Sequence, residues 1–440
     1  MSSIEKRLVA ALLTAMRSRR EEPAAAAQVN APMSAAALAP AKVREARFSD
    51  FEGVAILKRR FDLAADSLEN WERLWRTNPA LAHSGPDVPI GWVLEAEGRI
   101  VGYIGNILQL YHYGDRTLTS AVAHGLVVEP QYRGVGVSLV AAYFRQKNVD
   151  LFMSTGAIAP VGKIARAFKT DVLPQADYET VLFWVLRPYP FAQAVMKKLA
   201  LKSGLSFIGS SLGSLAIAAD KLLRRRWPKQ TSSDLEITEV AVNEIGDDFQ
   251  ELWLEKIDER PQLLADRGVA TLRWHFEVPG DVGSVSVLRC TRNEKLVGYA
   301  VVRDEAPDEV GLRKATIADM LVKEDDTAVM QALLVAAYHH AQQTGSHILE
   351  ILGFPPFIRD VWAKYGPYTR KYPTPIFGYK AVDPVLHKTI SEGNVWYASP
   401  FDGDFTLIRP SYAEQHTSRQ SAPPQTVTVK EHVLSAQPRT

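Results

Sequence analysis

Residues 121–143 and 316–338 align without a gap at a spacing of 195 positions, and this repeat constrains the fold more than any other feature of the chain. Nine of the 23 pairs are identical: Ala123/Ala318, Leu126/Leu321, Val127/Val322, Glu129/Glu324, and the run Leu-Val-Ala-Ala-Tyr at 139–143 and 334–338. The match lies inside a matching order of elements. Each copy opens with a strand and a helix, VREARFSDFEGVAILKRRF at 43–61 and LEITEVAVNEIGDDFQELW at 235–253. A Trp-centred segment follows, LWRTNP at 74–79 and RWHFEVP at 273–279. Two β-rich runs around a turn come next, at 92–107 and 284–302, sharing Val-Gly-Tyr at 101–103 and 297–299. A chain of 440 residues exceeds one ordinary core. The expected fold class is therefore α/β (α+β), as two mixed β-sheet units flanked by helices, spanning 43–190 and 233–410.

The remaining segments read as accessories. Residues 1–20 place apolar residues at helical spacing between basic flanks, which suits a short amphipathic helix packed on the body or touching a membrane surface. Its apolar run is short and no cleavage site follows, so no secretory signal is read. The stretch 21–42 is an Ala/Pro-rich linker, so 1–42 is an N-terminal helix plus linker. In the connector 191–232, the uncharged run Ser203–Ala219 precedes Lys221 and Arg224 to Arg226. It is too rich in Gly and Ser for a comfortable spanning helix. A helix packed between domains is expected, with a basic-anchored interfacial helix over 203–228 as the alternative. Residues 411–440 read as a disordered tail. A net charge of +1 provides no basic field of the kind that marks a nucleic-acid binder. The single cysteine, Cys290, excludes a disulfide framework and a multi-cysteine zinc site. It is expected to be reduced and half-buried on a strand of a cytoplasmic protein, and no metal is expected.

The chemistry concentrates where SAVAHGLVV at 120–128 ends at Pro130 and a small-residue helix begins near Ser138. The loop between them is QYRGVG, 131–136. A strand that passes through glycines into a helix presents backbone N–H groups and a positive dipole end, with Arg133 adding a full charge. Such a loop suits a pyrophosphate, or it simply turns the chain. It is neither a Walker loop, which needs a following Lys-Ser/Thr, nor a three-glycine dinucleotide fingerprint.

The string LVVEPQYRGVGVSL at 126–139 resembles the acyl-CoA-binding motif of the GNAT superfamily of N-acyltransferases, with Gln131, Gly134 and Gly136 at the motif positions. The resemblance covers about 150 residues of the first copy and, more faintly, the second. It implies that backbone N–H groups of Gln131, Tyr132, Arg133, Gly134, Val135, Gly136, Val137 and Ser138 hold the CoA pyrophosphate. Leu126, Val127 and Val128 would line the pantetheine arm as an added strand does. An N–H near Leu126 or Val127 would polarise the thioester carbonyl. The implied reaction is direct transfer from acetyl-CoA or another acyl-CoA to an amine.

His124 is the candidate general base. It shares the face of Leu126, and its ordinary pKa suits proton transfer, although a lone strand histidine also serves as a satisfied core residue. Glu129 has the wrong parity and is expected at the strand's exposed end. The family often carries an Asn and a Tyr on the helix after the fifth strand. Here APVGKIARAFKT at 159–170 has Phe168 near the tyrosine's place and no Asn. Tyr178 is the substitute candidate acid, with solvent-assisted thiolate departure or impaired chemistry as alternatives.

In the second copy the glycines and arginine of the loop are gone, and Asp325 and Asp326 occupy the turn, where carboxylates would repel a pyrophosphate. Asp319 falls opposite His124. His339 and His340 are adjacent on a helix and point apart, so they are no metal pair. The expectation is a cytoplasmic or membrane-peripheral N-acyltransferase with its chemistry in the first unit, acting on a small-molecule, sugar or peptide amine and not on nucleic acid. Its rivals are a non-catalytic CoA binder, an envelope or polysaccharide-assembly protein at the membrane surface, and a tandem enzyme drawing its donor from a charged tRNA. The neutral charge and intact loop weigh against the last.

Overall fold

The shared Val-Gly-Tyr marks a long inner strand in each of two sheets. In the computed structural model, residues 39–407 are described apart from 62, 86–87, 158, 201–216, 219, 221–226, 229–233, 278–284 and 373–375. The expected N-terminal helix, the disordered tail, and nearly all of the linker and of 203–228 lie outside the described residues. In chain order the strands are β1 (Lys42–Glu45), β2 (Gly91–Ala96), β3 (Arg99–Tyr113), β4 (Arg116–Val128), β5 (Leu151–Ala157), β6 (Asp171–Val172) and β7 (Thr180–Val185). They continue with β8 (Glu236–Val240), β9 (Leu264–Ala265), β10 (Val285–Arg292), β11 (Lys295–Glu305), β12 (Lys314–Val322), β13 (Ile348–Ile351), β14 (Tyr368–Lys371) and β15 (Ile376–Ala381). The helices that shape the site are α1 (Phe51–Arg60), α2 (Leu68–Arg76), α3 (Arg133–Arg145) and α4 (Ala159–Ala167). Their second-half relatives are α5 (Asp247–Glu259), α6 (Thr327–Gln343) and α7 (Pro356–Ala363).

The first sheet runs β1-β2-β3-β4-β5-β15-β6, with β9 on β3, and the second runs β14-β7-β13-β12-β11-β10-β8. Both are mixed. In each, one parallel pair is short: β4 meets β5 only from Ser120–Leu151 to Val122–Met153, and β12 meets β13 only from Lys314–Ile348 to Thr316–Glu350. Beyond those pairs the strands part.

The two copies trade strands. β7, from the first copy, lies between β13 and β14, and β15, from the second, lies between β5 and β6. Pairing is antiparallel, for example Val185 with Ile348 and Tyr379 with Met153. Divisions at 190 and 233 therefore do not separate the sheets. Both traded strands are strongly apolar, with Phe183, Trp184, Phe377 and Tyr379 buried. Such a pattern specifies a central position in a sheet without specifying which sheet. The largest hydrophobic cluster accordingly spans both copies, from Trp71 and Tyr111 to Trp274 and Trp396.

Local order follows the sequence pattern. In FEGVAILKRR the apolar residues Val54, Ala55 and Leu57 face inward and hold α1 on β3, and Lys58 shares that buried face. Ser67 caps α2, its hydroxyl accepting from the Asn70 N–H. Cys290 is fully buried rather than half-buried, because β10 lies between β8 and β11, and burial pushes its thiol up to about 12. Among the described residues, no helix is long and apolar enough to cross a membrane.

Candidate active site

A bulge in β4 sets the site. Gly105 pairs with His124 and Tyr103 with Val127, so Gly125 and Leu126 together face Ile104. Gly125 has φ of 60°, and a Cβ there would lie 2.9 Å from Lys58 Cε, so both backbone and space require glycine. The bulge falls where β4 leaves β5. The wedge between the strands opens as a cavity of about 350 Å³, walled by Leu126, Val140, Phe144, Phe152, Val161 and Val172. Lys58, His124 and Asp404 supply charge to the same cavity.

Those charged groups are linked. Lys58 Nζ lies 2.8 Å from Asp66 Oδ2 and 3.2 Å from His124 Nε2, and His124 Nε2 lies 3.4 Å from Asp66 Oδ2. On the other side of the ring, His124 Nδ1 is 3.2 Å from Asp404 Oδ2, whose Oδ1 accepts the Thr155 hydroxyl at 2.7 Å. Lys58, Asp66 and His124 are each at most 2% exposed, so these bonds operate away from bulk water. Lys58 has no acceptor, so neutral His124 accepts from it at Nε2 and donates Nδ1–H to Asp404. Protonated His124 can instead donate from Nε2 to Asp66. Either state is hydrogen-bonded, so the ring can take up or release a proton in place.

The electrostatics follow from these partners. Burial opposes ionisation of Asp66, but the Lys58 ammonium, with His124, holds the carboxyl well below its usual range. Burial and then Lys58 push the His124 imidazole down, and Asp404 and Asp66 outweigh them, so its pKa is raised. Burial, reinforced by the Asp66 charge, lifts the Tyr103 hydroxyl well above its ordinary value.

The start of α3 differs from the sequence expectation in one respect. Neither Gly134 nor Gly136 has positive φ, and both are helical. Gly136 is there for close approach, since a Cβ would meet the Val128 methyls at 3.1 and 3.2 Å. Gly134 faces open space, with nothing within 4 Å of its missing Cβ. No side chain caps this helix. The Tyr132 N–H bonds to the Glu129 carbonyl and the Arg133 N–H to that of Pro130, which leaves Gly134 and Val135 as the first-turn donors facing out. Gly136, Val137 and Ser138 lie further along, where N–H groups join the helical ladder, so they are withdrawn as pyrophosphate donors. The Ser138 hydroxyl donates to the Val135 carbonyl.

The second copy shows what a protein-supplied anion does at the same place. Asp326, spaced 195 from Gln131, caps α6 by accepting from the Ala328 and Val329 N–H groups at 2.8 and 3.4 Å. These two residues match Arg133 and Gly134. Arg292 holds the Asp326 carboxylate at 2.9 Å. Downstream, the Trp362 of α7 is fully buried and its indole N–H donates to the Met330 carbonyl of α6.

Other expected residues are placed as follows. Of Leu126, Val127 and Val128, only Leu126 lines the cavity, while Val128 packs on Gly136. Gln131 donates its side-chain amide to Glu129 at 2.6 Å, and Tyr132 is buried. Glu129 is not at an exposed end. It is 2% exposed because Arg60 of α1 and Arg99 of β3 neutralise it. Tyr178 is absent from the cavity wall and donates its hydroxyl to the Ser399 carbonyl at 3.2 Å. It stands at the head of β7, and the strand exchange takes it out of the first sheet, so it is withdrawn as the acid. Phe168 stacks on Phe144, with ring centroids 5.0 Å apart. His340 bonds to Glu239 and Asp304 at 3.0 and 3.1 Å. Among the described residues no cluster of His, Cys, Asp or Glu could hold a metal ion.

Sequence reasoning missed Lys58, Asp66 and Asp404. Lys58 carried a signal, a charged residue on the apolar stripe of α1. Asp404 carried none, being 280 positions from His124 and beyond the stretches that align between the two copies.

Two mixed sheets, each with a parallel pair that parts beside a helix N-terminus, are a GNAT fold. Solved structures share it. A GCN5-related N-acetyltransferase from Anabaena variabilis ATCC 29413 superposes with a TM-score of 0.50 at 10% identity, over 78% of this chain and 73% of that one. A conserved protein of unknown function from Enterococcus faecalis V583 gives the same TM-score, 0.50, at 11% identity and the same coverage, 78% and 73%. No protein-family model matches the sequence, and neither does any curated protein.

Proposed function

We propose that the protein is an acyl-CoA-dependent N-acyltransferase whose chemistry lies in the first unit. One observation carries this reading: the apolar wedge between β4 and β5 ends on the Lys58–His124–Asp404 cluster, on the same strand that leads into an uncapped helix N-terminus. Gly134 and Val135 N–H groups, with Arg133, would hold the pyrophosphate. The wedge would take the pantetheine arm, and the Leu126 N–H at the bulge would polarise the thioester carbonyl. The acceptor is an amine on a small molecule, sugar or peptide. Its nitrogen attacks the carbonyl carbon, the C–N bond forms, and the C–S bond breaks. His124, oriented by Asp404, takes the amine's proton and returns one to the leaving thiolate, so no tyrosine acid is needed. The second unit is read as unable to bind CoA, because Asp326 occupies its helix terminus. A cytoplasmic location is part of the proposal, supported by the single buried thiol of Cys290.

The test is calorimetry with acetyl-CoA and longer acyl-CoAs, followed by thiol release across an amine panel. His124→Gln and Asp404→Asn are expected to retain CoA binding and lose about 10²- to 10⁴-fold in release. No heat with the unaltered protein sinks the reading. Binding without thiol release for any amine favours the non-catalytic rival.

A further inference from the structure

One short segment, Ser399 to Asp404, crosses from a buried ion pair of the second unit into the first unit's cluster. On the second-unit side, Arg267 and Asp319 are both fully buried. The Arg267 guanidinium lies 3.0 Å from each Asp319 oxygen, through Nε and Nη2. Asp319 also accepts from Tyr299 and from the Ser399 hydroxyl, both at 3.0 Å. Asp319 stands 195 positions after His124, and Tyr299 matches Tyr103 in the repeated Val-Gly-Tyr. The strand position that holds His124 in the first unit therefore holds part of a buried anchor in the second. Arg267 also lies 3.3 Å from Ser399 Oγ, 3.8 Å from Asp402 Oδ2 and over the Phe401 ring at 4.7 Å.

From that anchor the chain is fixed residue by residue. Asp402 accepts from the Ser399 N–H at 2.7 Å and from the Tyr111 hydroxyl at 2.8 Å. Gln109 makes two bonds to the Gly403 backbone, at 2.8 and 3.0 Å. Gly403 has φ of 82°, and any Cβ would lie 2.3 Å from a Thr155 carbon, so this residue lets the chain press against β5. Asp404 comes next, on His124 and Thr155.

We infer that Arg267 is a positioning residue for the first unit: through Ser399 and Asp402 it sets the Asp404 carboxylate against His124. The inference rests on the proposed chemistry for the catalytic meaning of Asp404, and on geometry alone for the positioning. The other charged groups facing His124, Lys58 on α1 and Asp66 before α2, make no hydrogen bond or ion pair with Arg267 and are expected to stay in place when it is altered.

The test is to titrate labelled histidine by NMR in the full chain, assigning His124 with His124→Gln. Arg267→Met is expected to lower the His124 pKa as Asp404→Asn does, and the double variant to add nothing further. Arg267→Lys should restore part of the shift. Calorimetry with CoA on the same samples is expected to show unchanged binding, and, once an amine acceptor is found, kcat should fall while KM for acyl-CoA holds. If Arg267→Met does not fold, Tyr111→Phe removes only the hydroxyl on Asp402 and should move His124 in the same direction by less. A folded variant of either kind with an unshifted His124 overturns the inference. If no sample binds CoA, the functional reading fails, and the His124 titration still decides the positioning.

Discussion

Replacing Gln131 by Asp would give α3 the cap that Asp326 gives α6, and the two expected effects can be separated. A carboxylate at an N-cap is worth about 0.5–2 kcal/mol of stability. Against that stands the loss of the Gln131–Glu129 bond, about 0.5–1.5 kcal/mol, so the variant should be no less stable than the parent to within about 1 kcal/mol. Binding should behave differently. If the cap takes up the Arg133 and Gly134 N–H groups as in the second copy, an incoming phosphate forfeits the charge-assisted bond from Gly134, about 1.5–3 kcal/mol. Repulsion between the charges adds about 1 kcal/mol at 4 Å in water. Even with half the bonding recovered by rearrangement, the deficit is about 2 kcal/mol, or roughly 30-fold in Kd. Calorimetry with CoA reads the affinity and urea unfolding reads the stability. The reciprocal change, Asp326→Gln, should lose about 1 kcal/mol of stability and leave CoA affinity alone. Gln131→Asp that binds CoA within about threefold of the parent refutes the helix terminus as the pyrophosphate site.

Lys58→Met removes the closest partner of a buried carboxylate and should cost about 3–5 kcal/mol in urea unfolding at pH 7. Asp66 has a depressed folded pKa, so its contribution is complete above its unfolded value of 3.8 and is lost as pH falls below it. Lys58→Met should shrink that acid limb. His124 runs the other way: its raised pKa stabilises below the unfolded value of 6.5 and is lost as pH rises through the folded one, a limb that Asp404→Asn should flatten. Residues 1–200 and 217–440 made as two chains should co-purify, because β7 and β15 each complete the other's sheet. A soluble, cooperatively unfolding half on its own would contradict the exchange.

The sequence carried the fold wherever two positions could be compared. The repeated Val-Gly-Tyr and the ungapped match at 121–143 located β3, β4, α3 and their counterparts. What each sheet did with its last strand was not legible. TVLFWV satisfies any buried sheet position, and partner choice depends on contacts far away in sequence. The same exchange misdirected the search for an acid, since Tyr178 is near the first site in sequence but lies in the turn that leads into a strand of the second sheet. His124 was visible because a strand motif placed it, whereas Lys58 was passed over although its charge interrupts an apolar stripe. Asp404 could be found only in three dimensions. The glycines were noticed for a reason that proved partial: Gly136 seats the helix on Val128, and Gly134 leaves the helix terminus bare.

The traded strands also govern what mutation can discard. A half of a chain that lies apart from the proposed chemistry is ordinarily free to be deleted. Deleting this one would also remove the strand between β5 and β6 and the carboxylate beside His124. The second half is thus structurally required by the first: its own loop can change without touching the first sheet, while β15 and the segment leading to Asp404 cannot.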